Sequence, residues 1–236
     1  MHNSKIPLVC QSCEARHRGV CGVLNTEQLI FLSERTSKID YKNKDEMISY
    51  NQDNSHYGNI LSGVVKLTKL MVDGRQQIVG LQFAPDFLGR PFKAKSTLFA
   101  EAATDVRICS FPRSVLEHLI KESPALEHRL HEQTLDELDE ARDWLLALGR
   151  KDAYEKVASF LLLIASNLDP EHSGPSNNYS FKLPLKRFDI ADFLGIRTET
   201  VSRQIHKLKK SGIIDLASNQ EIVILNTSAL QEASAS

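Results

Sequence analysis

Apolar and polar positions follow two different rhythms along this chain, and the change falls near Pro124. Between about Ile39 and Phe111 short β-favouring runs alternate with turn signals: Met47 to Tyr50, Gly63 to Leu67, Gln77 to Leu81 and Val106 to Phe111, with a turn at Asp73-Gly74. Short strands at this spacing predict a small antiparallel barrel or jelly roll over residues 25–122. Past Pro124 the residues Leu126, Leu130, Leu138, Ala141, Leu145 and Leu148 recur three, four or eight positions apart, with Glu and Asp opposite them until Gly149. That spacing predicts one amphipathic helix over residues 123–149. Its apolar stripe is narrow and too long for a small barrel to cover, so a second copy of the helix is the expected partner. These six residues, with Asp143 beside them, are the candidate dimer seam. A helix packed within its own subunit is the alternative.

The 3.6-residue rhythm returns in shorter pieces over residues 150–236. One helix is expected from Ala153 to Asn167, followed by a linker rich in Pro, Ser, Gly and Asn from Asp169 to Asn178. Phe188, Ile190, Ala191 and Leu194 then stand at helical spacing, and Gly195 ends that helix. After Ile196-Arg197-Thr198 comes another helix, which Thr198 or its neighbour can cap and Gly212 closes. Val201, Ile205 and Leu208 form its buried stripe, while Glu199, Ser202, Arg203 and His206 point outward. Helix, tight turn and polar-faced helix make a helix-turn-helix, whose second helix enters the DNA major groove. Ile213 to Asp215 and Glu221 to Leu225, joined around Ser218-Asn219, are expected to add a hairpin wing. The whole is an α+β chain.

Composition narrows the options without choosing among them. The 236 residues are 42% hydrophobic and 25% charged, which suits one or two globular domains and disfavours disorder. Net charge is −1, yet acids crowd Glu117 to Asp143, and Arg197 to Lys210 holds Arg197, Arg203, His206, Lys207, Lys209 and Lys210 against one Glu. Nucleic acid is therefore expected at one end only.

Cysteine placement adds chemistry. The four thiols are Cys10, Cys13, Cys21 and Cys109, three of them close together in the segment of residues 1–24 and one distant. Soft thiolates select iron–sulfur clusters, zinc or copper(I), and four suffice for a [4Fe–4S] cluster or a tetrahedral zinc. Structural zinc usually takes two close CxxC pairs, so the three-plus-one layout favours the cluster; disulfides or inert buried thiols are the remaining reading. Ile6 to Val9 run straight into Cys10 without the apolar core of a signal peptide, and no segment is long enough for a membrane span. A cytoplasmic protein with reduced thiols is expected. No nucleophile elbow, Walker loop or HExxH is present, and His56 is the lone barrel histidine, so no enzyme is expected.

Thr198 to Arg203, following Ile190 to Gly195 and preceding Lys210 to Ile214, resembles the recognition helix of the CRP/FNR superfamily of bacterial transcription regulators. Barrel, long helix and helix-turn-helix occur in that order in the family. The four cysteines, with Pro112 shortly after Cys109, resemble its oxygen-sensing FNR branch, especially FnrN and FixK-like members. The resemblance implies a sensor barrel, a [4Fe–4S] cluster on Cys10, Cys13, Cys21 and Cys109, and a homodimer that binds double-stranded DNA while the cluster is intact. It assigns base reading to Glu199, Ser202 and Arg203, with Arg197 and Thr198 beside them, on half-sites of the TTGAT-N4-ATCAA type. Lys186, Arg187, Lys207 and Lys209 are the phosphate candidates. The Asp73-Gly74 turn lies where relatives touch RNA polymerase. Cyclic nucleotide is not expected, because Gly89-Arg90 and Lys95-Ser96-Thr97 stand where nucleotide binders have Gly-Glu and Arg-Ser or Arg-Thr. Asp136, Glu137, Asp139, Glu140 and Asp143 are expected to repel across the dimer axis, which makes association marginal. A zinc- or thiol-redox-dependent DNA-binding regulator of the same fold is the other functional reading.

Overall fold

The computed structural model describes residues 6–11, 13–53, 55–93, 95–168 and 178–235. They form two compact units that divide within a long helix, between Asp139 and Glu140, with Arg75–Ile78 grouped with the second.

The first unit opens with a helical arm: α1 (Leu8–Gln11), α2 (Glu14–Arg18), a 3-10 turn (Val20–Val23) and α3 (Thr26–Ser33). A capping box starts α3: Asn25 Oδ1 accepts from the Gln28 amide at 2.9 Å, and Gln28 Oε1 accepts from the Asn25 amide at 3.1 Å. Eight strands follow: β1 (Ser37–Tyr41), β2 (Glu46–Ile48), β3 (His56–Ser62), β4 (Val64–Leu70), β5 (Gln76–Phe83), β6 (Phe87–Leu88), β7 (Phe99–Ala102) and β8 (Val106–Pro112). They pair antiparallel in two four-stranded sheets, ordered β1-β8-β3-β6 and β2-β7-β4-β5, which is the expected jelly roll. Gly63 joins β3 to β4 at φ +91, where a Cβ would run into the Asp105 carbonyl oxygen.

Strand alternation gives the β1-β8-β3-β6 sheet two apolar faces. One face supplies Ile60, Leu88, Val106 and Ile108 to a core with Val65, Ala100 and Ala102 of the other sheet. The opposite face supplies Tyr57, Phe87 and Phe111 to a second core, with Val20 and Leu24 of the arm and Leu29 and Leu32 of α3. Helix α4 (Arg113–Glu122) adds Val115, Leu116, Leu119 and Ile120 to that core, and α5 (Pro124–Arg150) adds Leu126 and Leu130. Burying each such side chain contributes about 1.5–3 kcal/mol.

One expectation needs correction here. Leu126 and Leu130 are 0% and 9% exposed in their own subunit's core, so they are unavailable to a second chain. Later in α5, Leu135, Leu138, Leu145 and Leu146 are 59%, 43%, 70% and 60% exposed. Ala141 and Asp143 are also exposed, and Leu148 is half-buried. The stripe is one in sequence but has two fates in space.

The second unit contains the end of α5, then α6 (Ala153–Leu168), β9 (Tyr179–Lys182), α7 (Arg187–Leu194), α8 (Thr198–Lys210), β10 (Ile214–Leu216), β11 (Glu221–Ile224) and α9 (Thr227–Ala235). Residues 169–177 of the expected linker lie outside the described residues. The wing is a three-stranded antiparallel sheet, β10-β11-β9, with β9 as a strand the periodicity did not predict. Gly195 takes the left-handed conformation at φ +62 and ends α7. Two details differ from expectation. Phe188 is 64% exposed, and Phe193 is buried in its place against Trp144 and Phe160, at ring distances of 4.6 and 5.9 Å. Helix α8 begins after Arg197, and neither Arg197 nor Thr198 caps it, since no side-chain bond closes that end. Among the described residues no helix is long and apolar enough to cross a membrane.

Candidate functional site

The four cysteines reach one place by separate routes. Cys10 ends the first turn of α1, Cys13 lies in the bend before α2, Cys21 is in the 3-10 turn, and Cys109 is on β8. All four are free and line a single cavity of about 640 Å³. Cys109 joins them because its position on β8 faces the arm and not the space between the sheets. Its cross-strand neighbours are Lys38 on β1 and Asn59 on β3, and such pairs project from the same face of a sheet. Lys38, Asn59, Arg16 and Arg107 line the cavity with the thiols.

Burial keeps these thiols in their neutral form. Burial pushes the Cys21 thiol up to about 12, with the nearby Cys109 adding to it and a hydrogen bond from Asn59 opposing it. Burial likewise pushes Cys109 up to about 11, with Cys13 adding to it and Thr36 and Lys38 opposing. Cys10 is raised by burial and by Cys13, against the pull of Arg16 and Lys38. Thiols so placed stay protonated at neutral pH until a metal replaces the proton, because the thiolate is the ligand. Among the described residues no three His, Cys, Asp or Glu side chains form a ready ligand set for one ion. The four cysteines line one cavity, and four thiolates can hold either a tetrahedral zinc or a four-iron cluster.

Sequence reasoning found the thiols and missed the groups around them. Asn59 is 1% exposed; its Nδ2 donates to Cys21 Sγ at 3.3 Å, and its Oδ1 has no hydrogen-bond partner. Arg129 of α5 donates from Nη2 to the Arg18 carbonyl at 2.6 Å, which ties the helix to the residue that ends α2. Only strand register and tertiary contact reveal these two. His56 is exposed and shares a 2.9 Å hydrogen bond with Ser55.

In the second unit, α8 buries Val201, Ile205 and Leu208 at 0%, 1% and 0% exposure. Its opposite face presents Glu199, Arg203 and His206 fully and Thr198 and Ser202 partly, with Arg197 exposed just before it. Arg203 reaches Thr200 Oγ1 on its own helix at 3.5 Å. Three of the four phosphate candidates are engaged within the unit. Lys207 stands 4.3 Å over the Tyr154 ring, Lys209 pairs with Asp215 at 2.7 Å, and Arg187 donates to the Asn219 carbonyl at 3.1 Å. The Lys207 and Lys209 contacts are near the surface and weak enough to exchange for phosphate. Lys186 is exposed.

The barrel holds another cavity, of about 290 Å³, lined by Arg90, Lys93, Lys95, Thr97 and Gln82 together with Glu137 of α5. Arg90 donates to Thr97 Oγ1 at 2.6 Å.

Comparison with known proteins agrees with this two-part architecture. A Crp-like helix-turn-helix domain matches residues 155–233, and a cyclic nucleotide-binding domain matches residues 38–123. A probable transcriptional activator of Rhizobium leguminosarum bv. viciae is 50% identical over 95% of this chain and 92% of its own length. The transcriptional activator protein FnrL of Cereibacter sphaeroides is 38% identical over 94% of this chain and 90% of its own. The solved structure of FixK2 from Bradyrhizobium japonicum superposes with a TM-score of 0.76 at 30% identity, covering 85% of this chain and 98% of that one.

Proposed function

This chain belongs to the Crp/FNR family of transcription regulators, and from that premise we propose that it is a cytoplasmic, oxygen-responsive DNA-binding activator of the FNR/FixK type. It is a regulator and not an enzyme. The observation that carries the oxygen reading is the convergence of Cys10, Cys13, Cys21 and Cys109 on one cavity. The donor set fits a [4Fe–4S] cluster: four soft sulfurs, lining one cavity, with Lys38, Arg16 and Arg107 to offset the negative charge. When bound, such a cluster supplies an oxygen-labile tie between the arm and the barrel. The chain's own residues carry the consequence. Val20 and Leu24, on either side of Cys21, share a core with Leu126 and Leu130, and Arg129 grips the Arg18 carbonyl. Whatever loosens the segment around Cys21 therefore loosens the first turns of α5.

The later turns of α5 are the proposed dimer seam, built on Leu138, Ala141, Leu145 and Leu148. The exposed apolar positions there support it, and Asp143 beside them sets charge against its twin so that a small bias decides association. In the dimer, α8 from each copy lies in the major groove of a TTGAT-N4-ATCAA-type inverted repeat. Arg203 reaches guanine O6 and N7, Glu199 accepts from a cytosine amino group, and Ser202 contacts a neighbouring base edge. Arg197, Thr198 and Lys207 hold the backbone. RNA polymerase is the proposed partner of the turn at Asp73-Gly74, where Met71 and Val72 are exposed; no cyclic nucleotide is part of the proposal.

Protein purified without oxygen tests the reading directly. Iron and acid-labile sulfide in equal amounts, with a brown band that bleaches in air and is missing from Cys109→Ser, is the expected result. Colourless protein holding zinc or no metal contradicts it.

A further inference from the structure

Asn59 is out of place by ordinary packing rules. Asparagine is depleted in strands, and this one is in the middle of β3, 1% exposed, where an apolar residue would complete the core formed by Tyr57, Phe87 and Phe111. A buried polar atom without a partner costs about 1–3 kcal/mol, and Asn59 Oδ1 is such an atom. Unpaired groups of this kind in a native fold call for a reason. The reason is on the same sheet face. Asn59 is the direct cross-strand neighbour of Cys109, and its side-chain amide donates to Cys21 Sγ at 3.3 Å. It thus stands between the ligand of the barrel and the last ligand of the arm, inside the cavity that all four thiols line.

We propose that Asn59 is a positioning residue of the metal centre, whose side-chain N–H fixes the Cys21 sulfur toward the cavity and stabilises the negative charge of the thiolate once metal is bound. The inference deepens the cluster reading and rests on it for the identity of the metal, but the hydrogen bond acts on any metal that Cys21 ligates. Donors to ligand sulfurs set the stability and potential of iron–sulfur centres, and loss of such an outer contact costs about 10–100-fold in metal affinity. The side-chain oxygen is buried and has no hydrogen-bond partner, so the amide N–H is the functional half of the residue.

The test compares the native chain, Asn59→Leu and Asn59→Asp, each purified without oxygen and analysed for iron, sulfide and zinc. An excess of a chelator is then added, still without oxygen, and metal release and the visible sulfur-to-iron band are followed. Asn59→Leu keeps the branching at Cγ, with a somewhat larger side chain, and removes the donor; Asn59→Asp keeps the shape and replaces the donor with an acceptor. Both are expected to release metal about tenfold faster or more, with the band displaced and the melting temperature of the leucine variant no lower than that of the native chain. Release rates and band equal to the native chain in both variants overturn the proposal. So does faster release that comes only with a lower melting temperature and an undisturbed band, since that is packing alone. Zinc in the native chain overturns the cluster reading, and the release comparison still decides the role of Asn59.

Discussion

At the scale of the residue, the Cys21 and Cys109 thiols link the fold to pH. Their protons are held to about 12 and about 11 in the folded chain, against an ordinary value of 9.0. Below pH 9 both states keep the proton, and the stability of the metal-free protein is unaffected by these groups. As pH rises from 9 toward 11, the unfolded chain releases protons that the folded chain retains, so stability falls, by about 1 kcal/mol per thiol per pH unit. Melting of metal-free protein across this range is expected to show the decline, and Cys21→Ser is expected to flatten it. A curve with the same slope in native and Cys21→Ser protein contradicts the assignment. On the reading helix, Arg203→Ala is expected to lose about 1–3 kcal/mol of discrimination at the half-site guanine while retaining general affinity for DNA. Competition binding against single-base variants of the site checks this, and an unchanged preference rules out the role given to Arg203.

At the scale of the element, α5 buries its first turns in its own subunit and is proposed to dimerise through its later ones, and substitutions separate the two. Leu126→Ala opens a cavity in the core shared with α4 and the arm and is expected to cost about 2–5 kcal/mol of stability, read in urea unfolding. Leu145→Glu, at a site 70% exposed, is expected to leave the melting of the monomer intact and prevent association in sedimentation. Asp143→Ala, which removes a charge from the seam, is expected to give a dimer that survives air. A Leu145→Glu chain that still dimerises refutes this seam. The helix itself was legible because a 3.6-residue rhythm needs only sequence. Which turns meet their own core was not, since a stripe records amphipathicity and not the surface that covers it. Phe188 and Phe193 show the same limit: both fit an amphipathic α7, and only the ring of Trp144 decides between them. The third wing strand escaped because Tyr179 to Lys182 is too short for periodicity to distinguish it from the linker before it. Among the site residues the thiols stand out by type and spacing, while Asn59, Lys38 and Arg129 acquire meaning only through strand register and the fold of the arm over the sheet.

At the scale of the whole molecule, the account joins three marginal balances. In the proposed function the arm depends on its ligands, the seam is apolar but flanked by acids, and the reading face is basic in a chain whose net charge is −1. On that proposal none of these is decisive alone, so one chemical event can govern all of them. In the proposed dimer the two reading helices would lie about one helical turn apart on DNA, so half-site affinity would become useful only when the dimer forms. The most direct test is binding to a TTGAT-N4-ATCAA duplex by one sample of native protein, measured without oxygen and again after exposure to air, with dimer content followed by sedimentation. The account expects tight binding by a dimer before exposure, and loss of both binding and dimer as iron leaves the four cysteines. Equal binding before and after, by a protein whose association state does not change, contradicts it.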